Sequence, residues 1–408
     1  MTWSTRGNGG LSAAMMVLVA SLVLLVVGVL LARPAHAETF TVNSTSDRED
    51  RAVGANGCDT DVRVPGGGVG LEPECTLRAA IQEANANGQG DTIFFGSTLS
   101  GTITLTLGEL PSIEDDKAET GRDLAIQGPG ASTLTVSGNN GRVLEILSQA
   151  NVTISGLTIS DGGTAHYGGG IYNAGTLRLT NSTISGNSAY STGGGIYSAG
   201  ILTVTNSTIS GNSAADYGGA NSGGGIYSAG TLTVTNSTIS GNSAGGSTAT
   251  SVYGARGGGI YNRGGKLTVT NSTISGNSAA AGADGEAVYG GGIYSGSGTL
   301  TVTNSTISGN VASGSFGRGG GIYNGSASTA TLANTIVATN RASGTFISRG
   351  YNLLGDTSHS SGWIASDLQD REDPLLGPLQ ANGGPTKTHA LLPGSPAVDA
   401  ANNTTCPA

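Results

Sequence analysis

Charge is scarce in this chain. Only 11% of its 408 residues are Asp, Glu, Lys or Arg, and 18 basic against 27 acidic residues leave a net charge of −9. That balance excludes a surface built to track a phosphate backbone, so no nucleic-acid partner is expected. Cysteine is nearly absent too. Cys58, Cys75 and Cys406 are too few for a disulfide scaffold and lack the spacing of zinc ligands. His166, His359 and His389 have no partner at ligand or triad spacing, so structural or solvent-facing roles are expected for them. Aromatics make up 5% of the chain. No helical period runs through the long central stretch.

What the chain has instead is glycine, 71 residues of it, and a phrase that returns. GGGIY followed by TNSTISGN occurs in full at 168–187, 193–212, 223–242, 257–277 and 290–310, and a further GGGIY stands at 319–323. Self-similarity of this kind means one short unit stacked on itself. In the second copy, Ile196-Tyr197, Leu202-Thr203-Val204-Thr205 and Thr208-Ile209-Ser210 alternate apolar and polar residues between Gly, Asn and Ser, the pattern of strands and turns. Three strands in the 25 residues from Gly168 to Gly193 describe one coil of an all-β, parallel β-helix. Coils would pair along the axis at roughly 4.8 Å.

Alternation also assigns faces. Ile171, Ile196, Ile226, Ile260, Ile293 and Ile322 should line the inside, with Leu202/Val204, Ile209 and their equivalents. Two asparagines per copy, Asn181 and Asn187 in the first, mark turns where left-handed backbone and coil-to-coil amide ladders are expected. With Ile inside, Tyr172, Tyr197, Tyr227, Tyr261, Tyr294 and Tyr323 should form one outward column. Inserted loops between GNSA and GGGIY vary in length, and several carry another aromatic, among them Tyr190, Tyr217, Tyr253, Tyr289 and Phe316. Variable loops on one edge often make the binding face of a repeat protein. The expected ligand is a glycan or a surface partner, although the same rings also serve to shield exposed glycine backbone. A second outward feature is a threonine grid, Thr203/Thr205, Thr233/Thr235, Thr268/Thr270 and Thr301/Thr303, with Arg178 interrupting the first row. Its spacing, about 4.8 Å by about 7 Å, suits an ice-binding face as well as ordinary soluble strands.

Residues 1–37 read as a signal peptide. Arg6 precedes an apolar run over 11–32, and Ala35-His36-Ala37 fits a cleavage site. An uncleaved membrane anchor is the alternative; either way the chain is expected to be secreted or at the cell surface, touching membrane only through this segment. Loss of Arg6 and Arg33 takes the net charge from −9 to −11. In an oxidising compartment Cys58 and Cys75 could close the loop between them, leaving Cys406 over. Residues 38–163 form an N-terminal cap and irregular early coils, with one helix over 76–87 that puts Leu77, Ala80, Ile81 and Ala84 on one face. Regular repeats fill 164–340. A proline-bearing C-terminal cap or anchor-type module occupies 341–408, and a monomer is expected.

Three blocks carry a resemblance. Cys75-Thr-Leu-Arg78-Ala-Ala-Ile81-Gln-Glu-Ala-Asn85, followed by Asp91-Thr-Ile-Phe, resembles the CSLREA-type motif of secreted bacterial β-helix proteins, with Ala79 in place of that motif's Glu. The GGGIY and ISGN elements are similar to the repeats of polymorphic outer-membrane proteins. The tail, with Gly350-Tyr-Asn-Leu-Leu-Gly and Gly383-Gly-Pro-Thr-Lys-Thr-His-Ala-Leu-Leu-Pro, is similar to a choice-of-anchor Q module. The resemblance implies a surface-displayed or secreted right-handed parallel β-helix with a structural or adhesive role, and no defined reaction.

The rival function is a polysaccharide lyase or hydrolase, which needs converging carboxylates. Between 168 and 340 the acids are Asp216, Asp284 and Glu286, all in inserted loops and expected to be solvated there. Glu114-Asp115-Asp116, Glu119 and Asp123 read as a charged loop, and Arg256, Arg263, Lys266 and Arg318 look scattered. No catalytic, cofactor-binding or metal-ligating residues are expected.

Overall fold

The structure is a computed structural model that describes residues 37–54, 57–65, 71–87, 90–114, 123–215, 223–245, 254–280, 287–371 and 373–402. Short strands wind into a right-handed parallel β-helix. In the second repeat the strands Ile196–Ser198, Ile201–Thr205 and Thr208–Ser210 pair with Ile171–Asn173, Thr176–Thr180 and Thr183–Ser185 on one side. On the other side they pair with Ile226–Ser228, Thr231–Thr235 and Thr238–Ser240, again parallel and without a register shift. Like therefore stacks on like. Ile196 stands between Ile171 and Ile226, Leu202 between Leu177 and Leu232, and Ile209 between Ile184 and Ile239. These ladders are fully buried, and each aliphatic side chain contributes roughly 1.5–3 kcal/mol by leaving water.

The two asparagines of each copy do different work. Asn181, Asn206, Asn236, Asn271 and Asn304 hold φ of 49–50° and turn the chain through the left-handed region, which Asn adopts more readily than other L-residues. The serine after each of them is buried, and Ser207, Ser237, Ser272 and Ser305 each accept from the N–H of the serine one coil earlier, as Ser207 does from Ser182 at 3.1 Å. Asn187, Asn212, Asn242, Asn277, Asn310 and Asn340 are instead buried and stack amide on amide. Asn212 Nδ2 donates to Asn242 Oδ1 at 2.9 Å and to the Ile184 carbonyl at 2.9 Å, while the Asn212 backbone N–H donates to the same Oδ1 at 3.0 Å. Both sets were expected to form turn ladders. The second set is the continuous side-chain ladder; the first turns the backbone, with an amide bond of its own from Asn334 Nδ2 to Asn304 Oδ1 at 3.1 Å.

Glycine sets how closely coils approach at the third corner. Gly193 holds φ of 69°, and a Cβ on Gly194 would run into the carbonyl of Ser213. Before that corner a fourth short strand appears in each coil. Ala165–Tyr167, Ser188–Thr192, Ser213–Ala214, Ser243–Ala244, Ser278–Ala280 and Val311–Ser313 make a separate six-stranded sheet. Ala244 and Ala279 of this sheet, with Ala255 and Val288, bury a small core of their own.

The helix Leu77–Asn87 starts on Thr76, whose Oγ1 accepts from the Ala79 N–H at 3.1 Å. Leu77, Ala80, Ile81 and Ala84 join the main core, as the helical period predicts. Arg78 turns the other way into a buried ion pair with Asp47 (2.6 Å) and also donates to the carbonyls of Gly108 and Glu109. A Cys58–Cys75 disulfide ties the loop ahead of the helix to it. Cys406 and the proposed leader lie outside the described residues. Among the described residues, no helix is long and apolar enough to cross a membrane.

Coil pairing continues past residue 340 through Ile336–Ser348 and Leu353–Ser361, after which Trp363 stacks on Phe346 with ring centres 4.9 Å apart. The antiparallel hairpin of Leu376–Gln380 and Thr388–Leu391 then folds back along the side of the solenoid. Thr238 Oγ1 donates to the Lys387 carbonyl at 2.5 Å, Thr386 Oγ1 to the Asn236 carbonyl at 3.4 Å, and Ser275 Oγ meets His389 Nε2 at 2.9 Å. The tail is thus a strap across several coils.

Candidate functional site

The strand Ile171–Asn173 and its stacked equivalents place every GGGIY tyrosine at one register position, so the column exists and runs Tyr172, Tyr197, Tyr227, Tyr261, Tyr294, Tyr323. The rings do not face water as a flat platform. Strands repeat at the thickness of about one aromatic ring plus its contact distance, so neighbouring rings close on each other. Centres lie 4.8–5.4 Å apart down the column. Tyr172, Tyr197 and Tyr227 stack nearly parallel, Tyr261 turns edge-on to both neighbours, and Tyr294 and Tyr323 are parallel again at 6°. Tyr227 and Tyr261 are 1% and 6% exposed, so the expectation of open ring faces is corrected at these two positions. Tyr172, Tyr197, Tyr294 and Tyr323 are half-buried, as is Tyr289, whose ring tilts against Tyr323 at 4.5 Å. Tyr217 and Tyr253 lie outside the described residues, as do Asp115, Asp116, Glu119, Asp216, Asp284 and Glu286.

Of the cations that look scattered along the chain, Arg256, Arg263 and Arg318 meet at this column. Arg142 covers the first ring, its Cζ 5.3 Å from the centre of Tyr172. It is held there by Glu109 at 2.5 Å and by Glu145, the residue in register ahead of Tyr172, at 3.4 Å. The Arg263 guanidinium donates to the hydroxyl of Tyr227. Arg256 stands 5.7 Å over Tyr294, and Arg256, Tyr289 and Arg318 occupy one register position at the mouth of the inserted loops. Sequence distance hides this meeting, because loop length changes between copies while the strand register does not.

Burial shifts the phenols. It pushes the Tyr227 hydroxyl up to about 12, even though the hydrogen bond and charge of Arg263 pull the other way. Tyr197, Tyr294 and Tyr323 are raised for the same first reason; neighbouring phenols add to the effect, and Arg263, Arg256 or Arg318 oppose it. The column is therefore a neutral aromatic ridge bordered by guanidinium groups.

The ridge ends asymmetrically. After Tyr323 the next residues in register are Ser343 and then His359. A cavity of about 430 Å³ opens there, lined by Arg318, Tyr323, Asn324, Ser328, Ser343 and His359 among others, with no carboxylate in its wall. Neither His359 nor Ser343 carries a signal in the sequence that would mark this place.

The threonine rows keep their register. Thr203, Thr233, Thr268, Thr301 and Thr331 form one column and Thr205, Thr235, Thr270 and Thr303 another, each half-buried, with Arg178 at the head of the first. They make an uncharged wall two hydroxyl columns wide.

Residues 121–252 match the family model described as a right-handed beta helix region. Neither the curated proteins nor the solved structures contain a match to the chain.

Proposed function

We propose that this protein is an exported β-helix scaffold that holds glycans at the cell surface or outside the cell, through the tyrosine ridge and the loops beside it. One observation carries the reading. The inserted loops all leave the coil next to the ridge, so the chain's variation in length is concentrated where its aromatic rings and its guanidinium groups meet. Sugars are recognised by apolar ring faces and edges combined with fixed polar groups, and both are present here. Export rests on the apolar run and small-residue site over 11–37, and the fold alone accommodates surface proteins and polysaccharide-degrading enzymes alike.

Binding of the purified, labelled protein to an array of immobilised glycans tests the proposal. Retention is expected on a subset of sugars, with a loss of about tenfold or more in Tyr294→Ala, as removal of a contact worth over about 1.4 kcal/mol requires. A blank array would sink it.

A further inference from the structure

The tyrosine stack has two ends, and only one is closed. Arg142 lies over the outer face of Tyr172, whereas the face of Tyr323 away from Tyr294 looks along the column at Ser343. Serine ends far short of a phenol ring. The following residue in register, His359, is two coils from Tyr323, roughly 9.6 Å by strand spacing. Tyr323 and His359, with the buried Ser343 between them in register, line one cavity of about 430 Å³. Pockets of this size hold small ligands. Its polar groups converge. Arg318 is exposed and lines the cavity, whose wall contains no carboxylate among the described residues. Asn324, Ser328 and Thr345 line the walls, and Gly325 and Gly344 let backbone come close.

We infer that this slot is a subsite for one anionic pyranose unit of a polysaccharide, a hexuronate. Its ring packs between Tyr323 and His359, and its carboxylate lies on the guanidinium of Arg318. A planar fork matches a carboxylate at two points, which a lone lysine does not. The inference rests on the glycan-binding reading and adds the class of sugar and its position.

Titration calorimetry at low salt, with trigalacturonate and its neutral galactose counterpart as probes, decides it. The unaltered protein is expected to prefer the acid by about tenfold or more, the range of a hydrogen bond to a charged group. Arg318→Ala should bring the two probes level. Ser343→Tyr continues the column by one ring at the same register position and should abolish binding of both. Far-ultraviolet circular dichroism checks that it folds; if it does not, the exposed Arg318→Ala still decides. Equal affinity for the two probes, or a preference that survives Arg318→Ala, overturns the subsite. A protein that holds other glycans on the array but neither probe also overturns it, and leaves the broader reading standing. A blank array removes both.

Discussion

Replacing Asn242 by alanine should cost the solenoid far more than the same change at Asn236, six residues earlier. Asn242 sits in the middle of the buried amide ladder. Its Oδ1 accepts from the backbone N–H and the Nδ2 of Asn212, and its own Nδ2 donates to the carbonyl of Ile209 and to Asn277 Oδ1, all at 2.9–3.0 Å. Alanine deletes all four bonds. Asn212 Nδ2 keeps the Ile184 carbonyl, and Asn277 Oδ1 keeps the Asn242 backbone N–H. The Asn212 N–H keeps nothing in its place, whereas the Ile209 carbonyl still faces the Ser240 N–H in the parallel ladder. A buried N–H stripped of its partner costs about 1–3 kcal/mol and each of the other three lost bonds about 0.5–1.5 kcal/mol, so the total comes to roughly 2–7 kcal/mol. At Asn236 alanine must hold φ of 49°, which costs about 1–2 kcal/mol, and glycine there should be nearly neutral. A repeat protein need not unfold in one step, so the local readout matters most. Native-state hydrogen exchange at the Asn212 amide should accelerate at least about thirtyfold in Asn242→Ala, the lower bound of that range, alongside a lower urea midpoint. If Asn242→Ala proves no costlier than Asn236→Ala, the buried ladder is not what locks this corner.

Two further outcomes follow from the same structure. Alkali should loosen the aromatic ridge. A phenol whose folded pKa is raised contributes its full stability below the unfolded value of 10 and loses it as pH rises through the folded value. For Tyr227 that window runs from 10 to about 12 and carries a stability on the order of 3 kcal/mol. Tyrosinate absorbance should rise late and together with loss of the β-sheet circular dichroism signal; ionisation of every tyrosine near 10 with the fold intact would refute this. Removing the Cys58–Cys75 bond, which closes a separation of 17 residues, should lower the stability of the N-terminal cap by about 3 kcal/mol. Calorimetry of Cys58→Ser/Cys75→Ser should show the cap melting earlier, and an unchanged trace would show that the core holds it alone.

The fold was legible because the interior of a parallel solenoid demands the same residue in each coil. Ile196, Leu202, Val204 and Ile209 can be placed from alternation alone, and the helix face of Leu77, Ala80, Ile81 and Ala84 from its period. The roles of the two asparagines were not separable, since which one points inward depends on how sharply each corner turns. Ring orientation was hidden as well: alternation says that Tyr261 leaves the sheet outward, but its edge-on turn and its burial are set by side-chain torsions and by neighbours. Arg256 and Arg318 flank Tyr289 only because loops of unequal length return to one register. The Ser-Ala strands were too short and too small to leave a period. The meeting of Lys387 with Thr238 spans 149 residues and has no local signal.

That meeting has a mechanical consequence. Coils held only by their neighbours would unzip from a pulled end one at a time, each yielding at the force of a single coil. The strap touches Asn236, Thr238 and Ser275, and Asn402 bonds Asn334 further along. A load applied at the C-terminus therefore reaches several coils at once and acts along the strap in shear. The last coils cannot peel until those bonds break together, so a protein tethered by its tail would resist tension as a block.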